Sequence, residues 1–222
     1  MTTTMQRIPE PELMDEPAQA RAYAEADFSE PNALFVSHFL SLAPPPTGRL
    51  IDLGCGPGDI CIRLAGALPG WSIVGLDAGP NMLALADDAV RLAGLADQIE
   101  LVLARLPELA VTGPFDALVS NSLLHHLPDP MLLWQAIGKL GASGSLVQVM
   151  DLSRPESETE VHQIVATHAA SEPEVLRQDF HNSLCAAWRP DEVQAQLEAA
   201  GLADRLAISH PSDRHWLVSG KL

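Results

Sequence analysis

Apolar residues along this chain fall into two alternating rhythms. Short apolar-rich runs occupy 49–53, 72–76, 99–103, 115–120 and 145–151. Runs of that length and composition read as buried strands. Between them the spacing becomes helical: Leu34, Phe35, Phe39 and Leu42 mark a helix over about 31–42. Further helices are expected over 58–68, stopped by Pro69-Gly70, and from Pro80 to Gly94. Another starts at Asp129-Pro130 and ends at Gly141. Strands alternating with helices predict a parallel sheet covered on both faces.

The two ends depart from this alternation. Residues 1–17 mix proline, threonine and acid and read as a loose arm, followed by a helix over 17–26 that carries Tyr23, the only tyrosine. Pro44-Pro45-Pro46 stops the next helix ahead of strand one. Beyond Asp151, Val161, Ile164, Val165 and His168 predict a helix over 156–170. Two more follow over 173–187 and 190–200, then strands over 203–209 and 215–219 around a His-Pro-Ser-Asp turn. A chain of 222 residues suits one domain. Its expected parts are an arm with cap helices (1–48), a core (49–151), a helical insertion (152–188) and a closing helix and hairpin (189–222).

Charge narrows the partners. The net charge is −16 and the only lysines are Lys139 and Lys221. Such a surface repels nucleic-acid phosphates and anionic lipid, although solubility alone also accounts for it. No apolar stretch approaches a membrane span and the N-terminus has no signal-like apolar region, so a cytoplasmic protein is expected. Cys55, Cys61 and Cys185 form an odd, unpatterned set that suits buried thiols. The spacing of His38, His162, His168, His210 and His215 suggests no metal site.

The chemistry concentrates after strand one. Gly54, Gly56 and Gly58, with Cys55 between the first two, form a turn leading into a helix, and strand two ends at Asp77. This is the front half of a nucleoside-binding βαβ unit: glycines let the backbone approach the ligand, and the acid accepts bonds from ribose hydroxyls. The dinucleotide fingerprint spaces its glycines differently. Asp52, just upstream, would repel a pyrophosphate but suits a ligand carrying an ammonium group.

Leu-Ile-Asp-Leu-Gly-Cys-Gly-Pro-Gly at 50–58 resembles motif I of the class I S-adenosylmethionine-dependent methyltransferases. Val-Gly-Leu-Asp-Ala-Gly-Pro-Asn-Met-Leu at 74–83 is similar to motif II of that family, and residues 115–127, ending His-His-Leu, to its motif IV. The resemblance implies a Rossmann-like α/β fold with a mostly parallel seven-stranded sheet, the last strand antiparallel, and a helical cap over the cofactor cleft. It further implies S-adenosylmethionine as cofactor and an in-line transfer of its methyl group. Gly54, Cys55, Gly56 and Gly58 would wrap the methionine and ribose portions, Asp52 face the ammonium, and Asp77 hold the ribose. Ala78 and Met82 would pack on adenine, unless Met82 is simply core, and Asn121 would lie near the methionine moiety. Many relatives carry an acid after strand three, where this chain has Ala104 and Arg105. Adenine is then expected to meet backbone groups there.

The acceptor side is less defined by the sequence. His125 and His126 follow strand four, where either can act as a base or merely brace the turn. Tyr23 is placed to close over the cleft, and Asp151, His181 and Asn182 are candidate acceptor contacts. A small-molecule acceptor is expected. A protein or RNA acceptor, or cofactor binding without catalysis, are the alternatives. The atom methylated and the oligomeric state stay open.

Overall fold

The computed structural model describes residues 5–10 and 15–222. Two cap helices come first, α1 (Pro17–Glu25) and α2 (Ser29–Ser41), the latter just before Pro44-Pro45-Pro46. The core then alternates β1 (Gly48–Leu53), α3 (Asp59–Ala67), β2 (Trp71–Asp77), α4 (Pro80–Leu92) and β3 (Ile99–Leu103). It continues through β4 (Phe115–Asn121), a 3-10 turn (Leu124–His126), α5 (Met131–Leu140) and β5 (Gly141–Leu152). Helices α6 (Glu158–His168), α7 (Glu174–Ala186) and α8 (Pro190–Ala199) precede the closing strands β6 (Leu206–Ser209) and β7 (His215–Lys221).

The seven strands form one sheet in the order β3-β2-β1-β4-β5-β7-β6. Strand β7 runs antiparallel to both of its neighbours, and the other pairings are parallel. The order reverses between β1 and β4, and ligands of open α/β sheets bind beyond the carboxyl ends of the strands at such a point.

Side chains alternate across each strand, so the sheet carries two cores. Leu50 packs with Phe35, Phe39, Trp71 and Ile73 under α2, α3 and α4. Ile51 and Leu53 face the other way, joining Trp134, Trp216 and Val218 beneath α5 and α8. Two side-chain hydrogen bonds lie within these layers: Gln148 Nε2 donates to Phe35 O at 2.8 Å and Trp134 Nε1 to Gln196 Oε1 at 3.0 Å.

Three expectations change. Strand β5 starts at Gly141 rather than 145, because a bulge shifts its register from Phe115↔Gly141 to Ala117↔Leu146. Gly144, at φ +91°, makes the bend. Strand β6 starts later than expected, because Arg205 N and Leu206 N turn back to Leu202 O at 3.0 Å each. The N-terminal arm is also anchored where it is described. Ile8 N donates to Cys185 O at 3.0 Å, and Met5 packs against Leu152, Val161 and Leu184. Residues 1–4 and 11–14 of the expected arm lie outside the described residues.

Candidate active site

At the switch point the chain leaves β1 through Gly54, Gly56 and Gly58, with φ of +78°, +51° and +85°. L-residues are strained in that region of backbone space. At Gly54 a side chain is also blocked, since its Cβ would lie 2.8 Å from Leu123. A Cβ at Gly56 would meet nothing within 4 Å, so the backbone there presents itself to open space. Gly54 N and Cys55 N both donate to Leu76 O, at 2.8 and 3.0 Å, which pins the turn to β2. Asp77 completes the cradle: its two carboxylate oxygens accept from Gly56 N and Gly79 N, each at 2.8 Å. Burial raises its pKa, and those two backbone donors oppose the rise.

Asp52 lies on the same edge and is only 1% exposed. One oxygen accepts from the Cys61 thiol at 3.3 Å. The other, Oδ1, has no hydrogen-bond partner among the described residues. Burial, reinforced by the nearby Asp77 charge and opposed by the Cys61 bond, pushes its pKa up to about 7. A buried carboxylate oxygen without a donor is costly, and a ligand ammonium would relieve that cost.

Both acids border a cavity of about 540 Å³. Its roof includes Tyr23 and Phe28 from the cap, whose rings lie 4.7 Å apart. Desolvation pushes the Tyr23 phenol up to about 12, so it stays protonated and can donate but cannot act as a base near neutrality. Leu176, Asp179, Phe180 and Ser183 reach the cavity from α7. His125 and His126 form part of the wall, with ring centroids 4.1 Å apart. Asp151 stands behind His125, 2.5 Å from Nδ1, and also accepts from the His125 backbone at 3.1 Å. Burial alone would lower the His125 pKa; the Asp151 charge and bond, with Glu10, outweigh it and hold the pKa above the ordinary value.

Residues 50–140 match the sequence profile of a methyltransferase domain. A trans-aconitate 2-methyltransferase of Methylobacterium radiotolerans is 36% identical over 141 residues, covering 62% of this chain and 50% of that protein. A ubiquinone biosynthesis O-methyltransferase of Ralstonia nicotianae is 31% identical over 118 residues, covering 53% and 49%. The chain thus spans about half the length of these curated relatives. The plantazolicin methyltransferase BpumL, solved with a pentazolic desmethylPZN analog and SAH, superposes with a TM-score of 0.71 at 11% identity, covering 93% of this chain and 91% of that one. At that identity the match speaks for the fold. Over residues 50–140 this chain is thus similar to methyltransferase domains, on a fold shared with S-adenosylmethionine-dependent methyltransferases.

In this chain the expected cofactor residues converge. Asp52, Gly54, Cys55, Gly56, Asp77, Ala78, Met82, Ala104, Arg105 and Asn121 all border the cavity. Gly58 supports from behind, its Cα facing Ala86. Met82 is both wall and core, at 6% exposure. Asn121 Nδ2 donates to Asn32 Oδ1 at 3.3 Å, and Asn32 in turn donates to Asp59 at 2.6 Å, so a side chain of α2 is tied to the cofactor edge.

Three expected acceptor contacts lie elsewhere. Asp151 is 1% exposed and does not border the cavity, because both of its oxygens are committed to His125 and to Leu152 N. Its carboxylate lies against the His125 imidazole instead of the cavity. His181 and Asn182 fall on another face of α7, since 176, 179, 180 and 183 take the cavity face at helical spacing. His181 instead pairs with the His162 ring at 5.2 Å, and Asn182 accepts from Gln178 at 2.9 Å.

The arm supplies what sequence reasoning missed. Arg7 donates to Ala186 O at 2.6 Å and His125 O at 2.9 Å, with its guanidinium 4.2 Å over the Trp188 ring. Glu10 reaches both histidines. Asp15 accepts from Asn81 N at 2.9 Å and Met82 N at 3.2 Å, capping α4 beneath the cavity. Isolated charges in an aperiodic segment carry no pattern that separates a site residue from a solubilising one.

Proposed function

We propose that this protein transfers a methyl group from S-adenosylmethionine to a small-molecule acceptor. The observation that carries the reading is the unmatched Asp52 oxygen set beside a left-handed glycine turn, with Asp77 across from it on β2. Asp52 would take the ammonium, Gly56 the close backbone approach, and Asp77 the ribose hydroxyls through lone pairs left beyond its two backbone donors. When bound, the cofactor supplies an electrophilic methyl on a positively charged sulfur.

The chain's own contribution is positional. The cap helices, α7 and the histidine wall enclose the acceptor and exclude water, which holds the reacting atoms in line in a dry site. Tyr23 is placed to donate a hydrogen bond into the cavity from the roof, and the Asp151–His125 pair fixes the orientation of one imidazole. The cavity that would hold cofactor and acceptor together has about 540 Å³, within the range of small-ligand sites, and the net charge of −16 disfavours a nucleic-acid acceptor. Among the described residues no helix is long and apolar enough to cross a membrane. The three cysteines are all buried thiols, which agrees with a cytoplasmic setting.

The test is incubation of the protein with methyl-labelled cofactor and a fractionated metabolite extract. A labelled low-molecular-weight product is expected. Label found only on macromolecules, or no label despite tight S-adenosylhomocysteine binding, would overturn the acceptor assignment.

A further inference from the structure

We propose that Glu10, His125 and His126 form a binding site for a divalent transition-metal ion of the Zn²⁺ type on the acceptor wall of the cavity. The three side chains come from two distant segments, the anchored arm and the 3-10 turn after β4. One donor atom from each lies within 4.8 Å of the other two.

Their separations have the right size. Glu10 Oε1 is 3.4 Å from His125 Nε2 and 3.3 Å from His126 Nδ1. Zinc bonds of roughly 2.0–2.2 Å to nitrogen and oxygen, at tetrahedral angles, place neighbouring ligand atoms about 3.4 Å apart. A direct charge-assisted hydrogen bond would draw them to about 2.7–2.9 Å. The surroundings match as well. Asp151, 2.5 Å from His125 Nδ1, is placed to take the Nδ1–H, so that in the neutral imidazole a metal would bind, Nε2 is the lone-pair nitrogen, 3.4 Å from Glu10. A carboxylate behind a ligating imidazole is the usual way a metal site sets the tautomer. Glu10 itself accepts from Ser183 Oγ at 3.1 Å, as ligating carboxylates commonly do. The donor set, two imidazoles and a carboxylate, is one that first-row divalent ions take with positions left over.

Both histidines border the cavity, so a remaining position on the ion faces the acceptor. The substrate class this selects is a hydroxyl or thiol compound. On coordination its O–H or S–H proton passes to water, giving a metal-bound alkoxide or thiolate. In the transfer, the new O–CH3 or S–CH3 bond forms as the cofactor's S–CH3 bond breaks, with that bonding pair staying on the cofactor sulfur. No oxidant or reductant is needed. This substrate assignment rests on the acceptor reading above, whereas the metal site does not.

The experiment is calorimetric titration of the chelator-stripped, dialysed full-length protein with Zn²⁺, repeated with Co²⁺ for its absorption spectrum. One ion per chain is expected, with no thiolate charge-transfer band. Glu10→Gln and His126→Ala should each weaken binding by more than about 100-fold, and Asp151→Asn by about 10- to 100-fold. Glu10→Gln is nearly isosteric, so it keeps the test informative if His126→Ala fails to fold. His162→Ala, which breaks an outer cluster of Glu158, His162 and His181, should leave the ion bound. Unchanged affinity in Glu10→Gln, loss in His162→Ala alone, a thiolate band, or no binding by wild type would overturn the site. S-adenosylhomocysteine titration of the same samples separates the readings: a protein that binds S-adenosylhomocysteine but takes up no Zn²⁺ sinks only the metal site, and one that takes up Zn²⁺ but binds no S-adenosylhomocysteine sinks only the cofactor site.

Discussion

Cofactor affinity should fall steeply with acid, because the group that receives the ammonium titrates near neutrality. In the ligand-free protein burial holds Asp52 at a pKa of about 7. An ammonium placed against its unmatched Oδ1 would favour the carboxylate and return the pKa toward the ordinary value near 4. The sign follows from the proton count. Between about pH 4 and 7 the empty site holds a proton that the complex lacks, so binding releases it and affinity rises with pH up to about 7. The ionised fraction of such a group is about 3% at pH 5.5 and about 75% at pH 7.5. The dissociation constant for S-adenosylhomocysteine should therefore be roughly 20-fold weaker at pH 5.5, about 2 kcal/mol. Calorimetry in buffers of different ionisation enthalpy should record close to one proton released per ligand bound at pH 5.5. Asp52→Asn should remove this slope and weaken binding at pH 7.5 by about 1.5–3 kcal/mol, the worth of a charged hydrogen-bonded contact. A flat affinity profile, or an Asp52→Asn protein that keeps the slope, would refute the role given to Asp52.

Four further outcomes are expected. Asp77→Ala should weaken S-adenosylhomocysteine binding by about 1.5–3 kcal/mol and also lower the melting temperature of the empty protein, because Gly56 N and Gly79 N lose their acceptor; an unaltered dissociation constant would remove Asp77 from the ribose. His215 is held neutral by burial, its pKa lowered to about 4, so the unfolded chain binds the extra proton and stability should drop by up to about 3 kcal/mol as pH falls from about 6.5 to 4. Acid unfolding curves should show His215→Gln losing less stability over that window than wild type. Phe180→Ala should reduce methyl incorporation in the extract assay while His181→Ala does not, since only Phe180 borders the cavity; equal losses would contradict the observed face of α7. Arg7→Ala should cost about 1–3 kcal/mol by urea unfolding, because the carbonyls of Ala186 and His125 lose a charged donor.

The core was legible because its cues are local. A run such as Leu50–Leu53 and a turn such as Gly54–Gly58 specify strand and loop within a few residues, and repeating the unit dictates a parallel sheet. Most of the residues expected on the cofactor edge lie at or just after a strand end, and they share one cavity wall. The acceptor side was legible only in part. The histidine pair was placed by its position after β4, but the rotation of α7 was not, because Asp179, Phe180, His181 and Asn182 offer no clean apolar stripe to orient the helix.

By itself, then, the sequence determined what depends on neighbours along the chain: the strand–turn–helix repeats, the left-handed glycines and the acids at strand ends. Tertiary structure alone decided what depends on distant segments meeting. It turned Asp151 from the cleft edge to the back of His125, brought Glu10 from the arm against the histidine pair, and put Asp15 at the start of α4. Those contacts join aperiodic arm residues to a sheet edge far away in the chain, and neither spacing nor composition carries that distance. It is set by where the folded cap and α7 leave room for the arm to lie.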